Sequence, residues 1–162
     1  RQIKTPMLSL YEKKEQLFGE FRTGVFTKNK NRDINSVISS MKNGNCFVTN
    51  GPFINLTFEN NGSIHEMGSV ISSNLGSFKI SIISTSEFGK IKDITLIKGI
   101  IKEQKENDFF TILNYGDYEL EKYIEINIES ECYFRCIVEL ESISSKKIFA
   151  LTNPIWLKPK LN

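Results

Sequence analysis

The sequence predicts a mainly β chain, an antiparallel β-sandwich preceded by one or two N-terminal helices. Three observations predict it. The apolar period changes from 3.6 to 2 at Gly44. Beyond that point, turn signals separate about eight or nine short alternating segments. No helical pattern returns after Gly44. Short strands at that spacing fit an immunoglobulin-like or similar sandwich, in which each sheet has one wet and one dry face.

The elements follow in order. Thr5-Pro6 offers a capping hydroxyl and then proline at the first helical position. Met7, Leu10, Tyr11, Leu17 and Phe18 supply one apolar face, and Gly19 ends the helix. Glu20 to Arg32 reads as an extended piece followed by a polar turn. A second helix starts at Asp33, a capping residue, and Ile34, Val37, Ile38 and Met41 recur at i, i+3, i+4 and i+7. Gly44 stands where a left-handed residue closes a helix. This second helix is expected to pack on the sandwich.

Then the strands begin. Ile54, Leu56 and Phe58 alternate with polar residues, and Asn60-Asn61-Gly62 is a hairpin-type turn. Phe78, Ile80 and Ile82 alternate likewise, and Asp93 to Gly99 forms another short strand. Ile124, Ile126 and Ile128 follow. In the next strand Cys132, Phe134, Cys136, Val138 and Leu140 face inward, with Tyr133, Arg135, Ile137 and Glu139 outward. Ile155 to Lys158 closes the set. The expected division is a helical segment over residues 1–44 and a β-sandwich domain over 45–162, meeting at Gly44-Asn45.

A chain of 162 residues can bury a real core without a metal or a disulfide. Lys plus Arg is 21 and Asp plus Glu is 19, so the net charge of +2 gives no footing for nucleic acid or an anionic membrane as partner. No apolar run is long enough to span a bilayer. The opening "RQIKTPMLSLYEKKEQ" lacks the apolar stretch of a signal peptide and lacks an initiating Met, so the chain reads as a piece of something longer. Cys46, Cys132 and Cys136 form no CxxC. Cys132 and Cys136 would share a strand face roughly 13 Å apart, too far for a disulfide. Three buried reduced thiols and a cytoplasmic compartment are the expectation. The sequons at Asn55 and Asn61 match by chance in a chain so rich in Ile, Lys and Asn.

Chemistry-bearing patterns are sparse. His65 is the single histidine, in a polar turn flanked by Gly62 and Gly68, and reads as a surface side chain. It cannot build a zinc site with three core cysteines, so no metal ligand is assigned and no cofactor is expected in this chain. Nucleophile-elbow, Walker and dinucleotide glycine patterns are all missing from the sequence. The carboxylates of "ELEKYIEINIESE" fall on alternating positions, as on a solvated face. Lys102 to Lys105 and Lys146-Lys147 read as loop charges.

One element occurs twice, as Thr49-Asn50-Gly51-Pro52 and as Thr152-Asn153-Pro154. Asn and Gly accept positive φ, proline fixes φ, and Thr and Asn side chains bond nearby backbone groups. Two readings follow: a pair of corners in a sandwich, or a pair of loops that present Asn50 and Asn153 to a neighbouring site.

The order of these motifs resembles the C-terminal part of PHP-domain metallohydrolases, the CehA/McbA-like group above all. The resemblance runs over Gly44, Phe47, Val48, Thr49, Asn50, Gly51 and Pro52, then Arg135, then Thr152, Asn153, Pro154 and Ile155. It implies a metal-dependent phosphoesterase or hydrolase parent, with an Asp-x-His motif and divalent metals in a barrel upstream of Arg1. None of the family's catalytic residues maps onto this chain. Arg22 in "FRTGVF" stands nearest, either meeting an anionic substrate at the barrel mouth or pairing with a carboxylate.

Two functions are thereby open. One is a non-catalytic accessory β-sandwich that supports the missing barrel, its substrate entrance or its assembly, with self-association through the exposed N-terminal helix. The other is an independent module that binds carbohydrate or a protein partner. A sugar platform would draw on Trp156, Tyr115, Tyr118 and Tyr123.

Overall fold

The computed structural model describes residues 2–4, 9–11, 20–27, 33–141 and 147–160. β1 (Gln2–Lys4) and β2 (Ser9–Tyr11) pair antiparallel as a small sheet of their own. Next come β3 (Arg22–Val25), α1 (Ile34–Lys42), β4 (Cys46–Thr49), β5 (Phe53–Asn60), β6 (Ser63–Glu66), β7 (Val70–Ser72) and β8 (Leu75–Ile83). The rest are β9 (Ile91–Ile100), β10 (Lys105–Ile112), β11 (Glu119–Asn127), β12 (Cys132–Leu140), β13 (Phe149–Thr152) and β14 (Ile155–Lys158).

The chain is mainly antiparallel β. An eight-stranded sheet runs β10-β9-β12-β13-β4-β3, with β14 on β12 and β7 on β14. A four-stranded sheet runs β11-β8-β5-β6. The β14–β7 ladder is the parallel one. The two sheets share a core. Ile54, Leu56 and Phe58 of β5 and Phe78, Ile80 and Ile82 of β8 are buried, as are Cys132, Phe134, Cys136, Val138 and Leu140 of β12. Phe78 joins the layers: its ring lies 5.1 Å from Phe58 in its own sheet and 4.8 Å from Phe134 in the other.

The alternation read from the sequence sets the register. Phe134 and Val138 are fully buried, while Tyr133 and Glu139 stand on the outer face, half-buried. Asn61 and Gly62 turn the β5–β6 hairpin with φ of 49° and 73°, the positive values that such two-residue turns demand. Glu119, Glu121, Tyr123 and Glu125 line the solvated side of β11, as the alternating carboxylates indicated. α1 begins at the expected cap, where Asp33 accepts from Ser36 N, and Gly44 follows it with φ 73°.

Three expectations need correction. Leu10 and Tyr11, read as part of a first helix, lie in β2; Met7, Leu17 and Phe18 fall outside the described residues. A residue before proline is biased away from the helical region, so Thr5-Pro6 does not by itself specify a helix. α1 packs little of its apolar stripe on the sheets: Ile34, Ile38 and Met41 are 72%, 44% and 49% exposed, Val37 is half-buried, and the buried residue is Ser40. His65 sits within β6, half-buried beside the Phe58 ring, and not in a turn.

β6, β7, β10 and β13 were not read as strands, and β3 lies within the piece read as extended. β10 runs exposed from Lys105 to Phe109 and so carries no apolar alternation. β6, β7 and β13 have three or four residues, too short for a period to show. Lys105 accordingly begins a strand, while Lys102 stays in the preceding turn. β3, from the expected helical segment, pairs with β4 across the expected boundary at residue 44.

Truncating Phe134 to Ala removes the ring that joins the layers and is expected to cost about 3–5 kcal/mol. Glu139 to Ala on the outer face is expected to cost about 0.5 kcal/mol. Chemical denaturation of both variants checks this, and equal losses would mean that β12 has the opposite face inward.

Candidate functional site

The repeated element closes the two ends of a single seam. β4 and β13 are antiparallel neighbours, with Thr49 opposite Ala150 and Phe47 opposite Thr152. Asn50 follows β4 and Asn153 follows β13, so each faces the first residue of the other strand. Their bonds repeat one pattern. Asn50 N donates to Phe149 O at 3.2 Å and its Nδ2 to Lys147 O at 2.9 Å. Asn153 N donates to Cys46 O at 3.2 Å and its Nδ2 to Gly44 O at 3.0 Å. Each side-chain amide thus extends the ladder by one rung beyond the end of its own strand. Asn50 Oδ1 also accepts from Phe149 N at 2.7 Å, and Asn153 Nδ2 also reaches Cys46 Sγ at 3.1 Å.

The threonines serve the backbone too. Thr49 Oγ1 accepts from Gly51 N at 2.9 Å and donates to Pro52 O at 2.6 Å, which holds the bend into β5. Thr152 is buried, and its Oγ1 accepts from Cys136 N at 2.8 Å. Gly51 leaves no room for a side chain, because a Cβ would come within 2.6 Å of Ile148. Pro52 is buried, and Pro154 O accepts from Gly68 N at 2.9 Å. Gly68 has φ 82° and packs so close to α1 that a Cβ would strike Asn43 O. The Asn153 corner therefore also fixes the C-terminal end of α1.

The structure does not bring the candidate site residues to one place. Arg22 opens β3 opposite Thr49, exposed, and so stands near Asn50. Asn153 is at the other end of β4, roughly 13 Å away by strand rise. A groove of about 730 Å³ lies at the Asn153 end, between α1 and the β6–β7 turn, lined by Ser36, Ser39, Ser40, Asn45, Glu66 and Ser69. Asn45 is buried beneath it and donates to Phe26 O at 3.2 Å and Glu66 Oε2 at 2.7 Å. Among the described residues, no group of three or more His, Cys, Asp and Glu could hold a metal ion. Cys132 and Cys136 are buried and Cys46 is half-buried, a departure from three core thiols; all are free, and burial raises the pKa of each.

The outer face of the larger sheet carries a cluster that no sequence signal announced. Glu106 of β10 accepts from Tyr133 Oη at 2.7 Å, Arg135 Nε at 2.8 Å and Arg135 Nη2 at 2.7 Å. Those bonds, Arg135 first, hold the Glu106 carboxyl down at about 2, and the same carboxylate raises the Tyr133 pKa. Trp156 is beside Tyr133, with ring centroids 4.8 Å apart and planes tilted by 49°, so the pair offers no flat platform. Tyr123 belongs to the four-stranded sheet, apart from Trp156. Tyr115 and Tyr118 lie in the connection leading to β11.

Comparison with protein-family models, with curated proteins and with solved structures finds no match for this chain. Among the described residues no helix is long and apolar enough to cross a membrane.

The Glu106 cluster makes stability depend on pH in acid. The folded carboxyl titrates at about 2, below the usual value of about 4.3. Its contribution is full above the unfolded value and is lost as pH falls through the folded one. Glu106→Gln is expected to lower stability at pH 7 by about 1 kcal/mol, allowing for solvent screening. The gap between variant and parent should close between about pH 5 and pH 2, as followed by thermal melts across that range.

Proposed function

We propose that this chain is the non-catalytic accessory β-sandwich of a PHP-type metal-dependent phosphoesterase or hydrolase, an immunoglobulin-like or similar sandwich that supports the barrel, its substrate entrance or its assembly. One observation supports this above others. The residues that carry the family resemblance lie far apart in the chain, yet Gly44, Thr49, Asn50, Gly51, Pro52, Thr152, Asn153 and Pro154 meet along the β4–β13 seam. A chance likeness of scattered motifs has no reason to converge in space. Both asparagine amides are bonded to the backbone, so the motif acts as architecture in this reading and not as chemistry.

The parent's divalent metals, in this reading, are held upstream, and the described residues offer no ligand set for them. Arg22 remains the candidate at the substrate entrance, exposed on β3. The compartment proposed is the cytoplasm. The alternative is a carbohydrate or protein-binding module, and the tilted Tyr133–Trp156 pair gives it no flat sugar platform.

The 162-residue chain is expected to bind neither Mn²⁺ nor Zn²⁺ stoichiometrically at micromolar concentration and to leave an aryl phosphate intact. The gene product that includes the sequence upstream of Arg1 should carry an Asp-x-His motif and hydrolyse the ester with metal dependence. Calorimetric titration and a phosphatase assay on both proteins decide the matter. Metal-dependent turnover by the 162-residue chain itself would overturn the accessory reading.

A further inference from the structure

Three Asn-Gly bonds occur in the chain, at Asn43-Gly44, Asn50-Gly51 and Asn61-Gly62. Each is a chemical weak point by residue type. Glycine has no side chain to shield its nitrogen, and its free backbone lets that nitrogen approach the side-chain carbonyl of the residue before it. Asparagine is among the thermolabile residue types. The structure treats the three bonds differently.

At two of them the reacting groups are tied down. Gly51 N donates to Thr49 Oγ1 at 2.9 Å. The Asn50 amide is held at both ends, with Nδ2 on Lys147 O and Oδ1 on Phe149 N. Gly44 N donates to Met41 O at 3.0 Å, and Gly44 O accepts from Asn153 Nδ2. A Cβ on Gly44 would lie 3.0 Å from the Gly68 backbone, so this peptide is packed as well as bonded. The third bond is at the tip of the β5–β6 hairpin. Asn61 and Gly62 are both exposed, and a Cβ on Gly62 would meet nothing within 4 Å. Among the described residues, neither the Asn61 side chain nor Gly62 N has a hydrogen-bond partner. Asn60 beside them differs, since its Nδ2 donates to Leu75 O at 2.9 Å.

We propose that Asn61 is a site of spontaneous deamidation, and the first Asn-Gly site of this fold to convert. Gly62 N attacks the Asn61 side-chain carbonyl carbon and gives up its proton to solvent base. The bond from that carbon to the side-chain nitrogen breaks, ammonia leaves, and a succinimide ring remains. Water opens the ring at one carbonyl or the other, leaving aspartate or isoaspartate. Either product adds a negative charge at the hairpin tip. Aspartate keeps the loop length and, like asparagine, tolerates the positive φ of 49° found here. Isoaspartate lengthens the main chain inside a loop whose length fixes the hairpin register. The rungs nearest the turn, Asn60 with Ser63 and Glu59 with Ile64, are the ones it loosens. The proposal uses the hairpin alone and stands apart from the accessory reading.

Ageing the 162-residue chain in mildly alkaline buffer, with peptide mapping by mass spectrometry at intervals, tests this. Peptides carrying Asn43, Asn50 and Asn61 are followed for the mass gain of amide-to-acid exchange and for splitting into aspartyl and isoaspartyl forms. Asn61 is expected to convert on the order of tenfold faster than Asn43 or Asn50, where bonds must break before attack. The same incubation in guanidinium chloride removes that protection, and the three rates are expected to draw together. Asn61→Gln assigns the gain within its peptide, which should then stay unchanged because the larger ring closes more slowly. A gain that persists in Asn61→Gln would place the reaction at Asn60 and overturn the proposal. So would equal rates at the three sites in the folded chain, or a gap between them that survives in denaturant.

Discussion

The β4–β13 seam is the constraint on which the rest of the chain depends. Two four-residue strands far apart in sequence must lie side by side, and three residue pairs of ladder hold them together. Asn50 and Asn153 extend that ladder at its two ends by bonding to the backbone of the opposite strand. Thr152 ties the same seam to β12 through the Cys136 amide. Without those bonds the eight-stranded sheet would be weakest at its middle, where β13 and β4 join the β10-β9-β12 side to β3. The turn residues then direct the chain: Pro52 leads from the larger sheet into β5 of the smaller, and Pro154 leads into β14.

The seam also explains how α1 is held with so little apolar contact. Gly44 closes the helix, Asn153 bonds the Gly44 carbonyl, and Gly68 packs on Asn43 with no space for a side chain. α1 is anchored by backbone geometry at its C-terminal end, and Asp33 caps its start. Its apolar stripe is therefore spare. In most small domains an amphipathic helix stays on the body because its apolar face is buried. Here the polar anchor at its C-terminal end holds the helix.

Much of the fold was legible because the apolar period reports which face is buried. β5, β8, β11 and β12 are long enough for alternation to show, and their buried residues are the ones the pattern named. α1 was legible in extent, through its cap and Gly44, but not in orientation. Periodicity says that a helix has an apolar face, not what that face meets. β13 was illegible because four residues hold too few repeats, and β10 because an exposed edge strand has no apolar face. The site was legible in part. The recurrence of Thr-Asn-Pro marked two corners, yet nothing in a linear pattern says that the corners belong to adjacent strands. The Glu106–Tyr133–Arg135 cluster had no signal, since its members are ordinary surface residues until the β10–β9–β12 register brings them together.

The asparagine braces are open to one direct measurement, the denaturant stability of Asn50→Ala, Asn153→Ala and the double variant. Each single change leaves backbone groups at a seam end without a partner, and each is predicted to lose about 1–3 kcal/mol. The two sites are roughly 13 Å apart, so the double variant should lose the sum within about 0.5 kcal/mol. Single variants that both stay within about 0.5 kcal/mol of the parent would contradict the account and return Asn50 and Asn153 to the list of residues kept for binding.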